Sequence, residues 1–174
     1  MINIKKELRL IAVSALFSAL LVAMLILGTF IELFDITVAA LCTFAVSIIL
    51  MEAKKKYAFL VYFTSSILGI IFVPLSTATL YFIGFFGYYP IIKQLLIKFP
   101  KLIQRIIGLI IFNVTKTALM LLFKTIFALT GEPAYMYILL FVTLNVIFIC
   151  IDYLLDIFPF IYVKKIRNKI KFIF

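Results

Sequence analysis

The sequence predicts an all-α polytopic membrane protein: a compact bundle of six transmembrane helices, one domain over residues 1–174, with both termini cytoplasmic. Three observations lead there. First, 67% of the residues are hydrophobic and only 14% are charged, with a mean hydropathy of +1.29. An ordinary soluble domain is about half apolar and a quarter charged, and a globule of 174 residues cannot bury such a surplus. Second, the apolar residues form continuous runs near the ~20 residues that cross ~30 Å of hydrocarbon, not the short alternating segments of a barrel. Third, the basic residues gather on one side of those runs.

The first span, 8–28, follows Lys5 and Lys6 and has Arg9 at its start. It is long for a signal peptide, and its small residues recur at helical spacing instead of clustering at a cleavage site, so it is read as a retained helix. The second span, 36–51, and the third, 57–73, are short and flank Lys54-Lys55-Lys56. Only Pro74 and the Leu75-Ser76-Thr77 turn divide the third from the fourth, 75–92. In that fourth span Gly84 and Gly87 permit close helix contact. Tyr88 and Tyr89 near its inner end read as an interfacial aromatic belt. The connection from Lys93 to Arg105 alternates basic with apolar residues and contains Pro100. It fits either an amphipathic surface segment or a solvated loop. The fifth span is 106–129. Gly131-Glu132-Pro133 then forms a tight turn into the sixth, 134–158.

Charge sets the expected orientation. Every Lys and Arg except Lys116 and Lys124 lies before or at the very start of the first span, between the second and third, between the fourth and fifth, or after the sixth. The opposite loops hold Glu32, Asp35 and Glu132 and no basic residue. The positive-inside rule places both termini in the cytoplasm. The net charge of +10 is therefore spread along one membrane face, where the basic tail 164–171 meets anionic headgroups. Nothing resembles a nucleic-acid module.

Much chemistry is excluded. There is no His, and Cys42 and Cys150 stand in separate apolar runs, read as packing residues with no metal or disulfide framework. No phosphate-binding glycine loop or nucleophile-elbow motif occurs. No catalytic residue, metal or cofactor is expected, and any transport must draw its energy from an ion gradient or a partner.

Two constellations remain. On the first span Ala12, Ala15, Ala19 and Ala23 fall in a stripe about 80° wide. Small residues four apart let another helix approach closely, either inside the bundle or on a separate membrane protein. On the fifth span Asn113, Lys116, Thr117, Met120 and Lys124 share a stripe about 100° wide, and Lys116 lies ~15 Å into the span. A charge there costs about 2.5–3.5 kcal/mol and turns inward. The sixth span offers Asn145 at about the same level, while Asp152 sits roughly 10 Å nearer the cytoplasmic end. The expected alternatives are a pocket open to the outside, in which Lys116 meets an anionic solute beside Asn113, Asn145 and Tyr81, an internal Lys–Asp pair of structural use, or a Lys buried in its neutral form. Lys124 is expected to snorkel outward or meet Glu132.

Six short spans, cytoplasmic termini and the Ala15-x-x-x-Ala19-x-x-x-Ala23 motif resemble the substrate-binding S components of energy-coupling-factor transporters. The resemblance covers the whole chain in architecture and one short motif in sequence. It implies a bacterial cytoplasmic-membrane protein that takes up a small, vitamin-like nutrient. It implies that Ala15, Ala19 and Ala23 dock a transmembrane coupling protein driven by two ABC ATPases. A rival reading is a membrane scaffold of the cell-envelope machinery, similar to rod-shape-determining proteins. A third is an enzyme of lipid metabolism using Asp152 and Asp156.

Overall fold

Apolar runs interrupted by Pro and Lys clusters fold as helix, and every regular element among the described residues is helical. The computed structural model describes residues 4–30, 35–74, 76–127 and 134–166, with the side chains among them except at 4, 6, 122–127, 134–138, 140 and 166. The helices are α1 (Ile4–Thr29), α2 (Asp35–Glu52), α3 (Lys55–Phe72), α4 (Thr77–Tyr81), α5 (Tyr89–Leu96), α6 (Lys101–Phe127) and α7 (Ala134–Ile161). A π-helical turn, Phe82–Phe86, joins α4 to α5, and another, Tyr162–Ile166, extends α7. Five helices, α1, α2, α3, α6 and α7, are long and apolar enough to cross a membrane.

The fourth span differs from expectation: it is α4, a π-turn and α5 in place of one helix. The cause is local. Pro90 has no N–H to give, and its ring collides with the carbonyl four residues back, so an α-helix cannot run through it. It sits instead in the first turn of α5, where the missing donor costs nothing. Ahead of it the Gly87 N–H bonds to the Phe82 carbonyl, the wider π spacing, at 2.8 Å. The Tyr62 hydroxyl of α3 donates to the Ile83 carbonyl at 2.9 Å. A side chain thus supplies a donor where the helical ladder is disturbed, as broken helices in apolar surroundings require. Gly87 is needed for this approach: a Cβ there would lie 2.5 Å from the Tyr62 ring.

The connection 93–105 is mostly helix. Its first part completes α5, Pro100 marks the break, and α6 begins at Lys101, five residues before the expected start of the fifth span.

The bundle is arranged around α2, which touches α1, α3, α4, α5, α7 and the π-turn. Its buried face carries the small residues Ala39, Ala40, Cys42, Thr43 and Ser47. Small side chains let neighbours approach where lipid supplies no hydrophobic drive. A second core is aromatic: Phe85 stacks on Tyr89 at 4.5 Å and meets Phe112 edge-on at 4.9 Å, and Phe112 stacks on Phe148 at 4.9 Å. The outer surface carries many large apolar side chains, with Leu16, Phe63, Ile71, Val114 and Ile149 all more than half exposed. Such a surface is compatible with a multi-pass membrane protein, since soluble monomers rarely expose a contiguous apolar belt.

Candidate functional site

Two polar assemblies interrupt this apolar body, one halfway along α6 and α7 and one at the basic end of the bundle. The first joins the residues expected from the sequence. Lys116 is fully buried. Its ammonium lies 3.2 Å from the centroid of the Phe141 ring and 5.4 Å from that of Phe112. It donates to the Phe141 carbonyl at 3.4 Å. The Asn145 amide donates to that same carbonyl at 2.9 Å. Asn113 donates to the Leu109 carbonyl at 2.9 Å and to Asn145 Oδ1 at 3.1 Å, while its own Oδ1 is buried with no partner. Lys116, Asn113 and Asn145 therefore form one layer between α6 and α7.

Among the described residues no carboxylate reaches Lys116. Its charge is met by π faces and a carbonyl dipole, interactions that weaken the cost of burial without neutralising the ion. Thr117 at the edge of the stripe points outward. Tyr81 is buried on α4, and among the described residues none of the hydrogen bonds of this layer involves it. The expected contacts of Lys124, Glu132 and Glu32 lie outside the described residues.

The second assembly decides against one of the alternatives, the internal Lys–Asp pair, and agrees with the offset of Asp152 from Lys116. Instead of pairing with Lys116, Asp152 pairs with Lys93 of α5 at 2.6 Å and with Arg105 of α6 at 3.5 Å. Asp156, one helical turn on, meets Lys93 at 3.0 Å and Arg105 at 3.4 Å. Lys93 also donates to the Asp152 carbonyl at 2.5 Å. The Tyr89 hydroxyl donates to Asp152 as well, so Tyr89 is a buried core residue and not part of an interfacial belt. Gly108 makes room for it, because a Cβ there would lie 2.7 Å from the Tyr89 oxygen. Lys93 and Asp152 are largely buried, whereas Arg105 is 47% exposed.

Sequence reasoning found Asp152 and Asp156 on one face but missed Tyr89, Lys93 and Arg105 as their partners. The available signal was matched spacing: Tyr89 and Lys93 are four apart, as are Asp152 and Asp156, so each pair lies on one helical face.

Beside this cluster, at the basic end, lies a cleft of about 580 Å³ between the end of α2, α5, the start of α6 and the end of α7. Lys93 and Asp156 form part of its wall.

The alanine stripe resolves in one direction. Ala12, Ala15, Ala19 and Ala23 are exposed, while Val13, Ser14, Ser18, Leu21 and Leu25 carry the buried face of α1. Among the described residues the stripe lies outside the face of α1 that packs into the bundle. Among the described residues no three His, Cys, Asp or Glu side chains gather as a metal site. Comparison of the chain with protein-family models, with curated proteins and with solved structures finds no match.

Proposed function

We propose that this chain is the solute-binding membrane subunit of an uptake system for a small anionic nutrient, working through a separate transmembrane coupling protein and two ABC ATPases. The observation that carries the reading is Lys116: a fully buried ammonium in the middle of α6 with no carboxylate partner among the described residues. An uncompensated charge at such depth is expensive and marks a solute path or site by default. A carboxylate or phosphate on a solute supplies the missing countercharge, and the unpartnered Asn113 Oδ1 beside it accepts a hydroxyl or amide proton. The exposed alanine face of α1 supports the second half of the reading, since small residues in register allow a foreign helix to pack closely.

In this reading the basic end faces the cytoplasm, the solute enters from the other side, and the chain itself hydrolyses nothing. The test is mild affinity purification from native membranes with mass spectrometry of co-purifying proteins and retained small molecules. Recovery of a coupling protein, a pair of ATPases and an anionic metabolite is the expected result. Recovery of cell-wall or division proteins with no small molecule sinks the proposal in favour of a scaffold.

A further inference from the structure

The cleft at the basic end is distinct from the Lys116 layer, and its walls are of two kinds. Leu50 and Met51 of α2, Ile97 and Phe99 of the turn after α5, and Leu155 and Phe158 of α7 make an apolar floor and sides. Lys101, Gln94 and Gln104 stand at the polar side with Lys93 and Asp156. The Lys93 charge is already taken by Asp152 and Asp156, and Arg105 behind it is paired with the same two carboxylates. Two cations against two anions leave that cluster neutral. Lys101 is then the surplus charge in the cleft, with no carboxylate in reach among the described residues. Gln94 lines the cleft, and its Oε1 is buried with no hydrogen-bond partner. It is an acceptor that lacks a donor.

We propose that this cleft binds one anionic phospholipid whose headgroup carries a hydroxyl, of the phosphatidylglycerol type. The phosphate meets Lys101. A headgroup hydroxyl donates to Gln94 Oε1, relieving a buried acceptor whose desolvation is otherwise uncompensated. The start of an acyl chain lies against Met51, Leu50 and Phe158. The volume falls within the roughly 300–1,000 Å³ of ligand sites and suits a headgroup with the beginning of its chains. The position fits too: the cleft opens at the end of the bundle where Lys93, Lys98 and Lys101 cluster, the level at which basic pockets between helices take anionic headgroups. The inference rests on the membrane setting alone and is independent of the solute proposed for Lys116.

The test uses the full chain purified in a neutral detergent and titrated with phosphatidylglycerol, with phosphatidylcholine, and with inorganic phosphate. Native mass spectrometry reads bound lipid, and thermal unfolding reads stabilisation. One phosphatidylglycerol is expected to be retained over phosphatidylcholine. Lys101→Gln is expected to weaken that binding about fivefold, the scale of one lysine at a lipid surface. Met51→Trp, which fills the floor, abolishes it, and Lys56→Gln, basic but outside the cleft, leaves it intact. Equal binding of the two lipids, equal loss in Lys56→Gln and Lys101→Gln, or the same stabilisation by phosphate alone overturns the proposal. Lys101 is exposed, so its variant keeps the test decisive even where Met51→Trp fails to fold.

Discussion

At the scale of single residues the decisive quantity is the cost of an unmatched buried group. Asp152 is held by Tyr89, Lys93 and Arg105. Replacing it with Ala leaves Lys93, whose side chain is only 12% exposed, and Arg105 to share Asp156 as their one carboxylate. That substitution is expected to destabilise the protein by about 1–3 kcal/mol, because the cluster is left with one more cation than anion and the Tyr89 hydroxyl loses its acceptor. Arg105→Ala removes the half-exposed cation and is expected to cost ~0–1 kcal/mol. The joint change Lys93→Met with Asp152→Leu should recover most of the loss. Thermal unfolding in detergent compares all three, and equal losses for Asp152→Ala and Arg105→Ala contradict the burial argument. Lys116 makes the opposite case. Met in its place removes a buried charge that no carboxylate offsets, so stability is expected to hold or rise while affinity for an anionic solute falls. A protein that unfolds at lower temperature as Lys116→Met owes its stability to that ammonium, and Lys116 is then structural. Gly87→Ala is expected to cost about 1–3 kcal/mol through the collision with Tyr62, in line with overpacking elsewhere.

At the scale of elements, the docking face proposed on α1 is separate from the face that folds the bundle. Ala19 is exposed and the buried face of α1 is made by other residues. Ala19→Leu is therefore expected to leave the unfolding temperature within the ~0.5 kcal/mol typical of surface changes while abolishing assembly with a coupling protein. Retained assembly in a pull-down removes α1 as the docking face. The helical period of the sequence located this stripe, but a stripe has two possible uses, and only the placement of α2 and α3 against the opposite face of α1 decides between them. The fourth span shows the reverse failure. Its hydropathy reads as one helix, yet Gly87 and Pro90 divide it because one admits the Tyr62 ring and the other lacks a donor. Hydropathy averages over a window and does not register two residues whose effect is steric and directional.

At the scale of the whole molecule, an apolar exterior surrounds a core that is small-residue on one side and aromatic on the other. With five helices able to span a bilayer, the expected arrangement is insertion with the basic end inside. Lys98→Cys, introduced with Cys42→Ala and Cys150→Ala, is expected to react with a membrane-impermeant maleimide only when the cytoplasmic face is opened. Labelling in intact cells reverses the orientation, and with it the side from which the proposed solute would have to reach Lys116.

The sequence by itself determined the helical class, the positions of the apolar runs, the charge asymmetry, the alanine register and the depth of Lys116. These follow from period and composition, which act over a few turns. It also put Lys116 and Asn145 at about one level and Asn113 on the same stripe as Lys116, because two antiparallel helices joined by a short turn have a calculable register. Only the tertiary structure decided that Asp152 pairs with Lys93, 59 positions away, that Tyr89 is buried, and that a cleft opens beside Lys101. Those outcomes depend on where the broken α4–α5 segment lies against α6 and α7. That placement is set by the Tyr62, Gly87 and Gly108 contacts between distant parts of the chain, which no local pattern encodes.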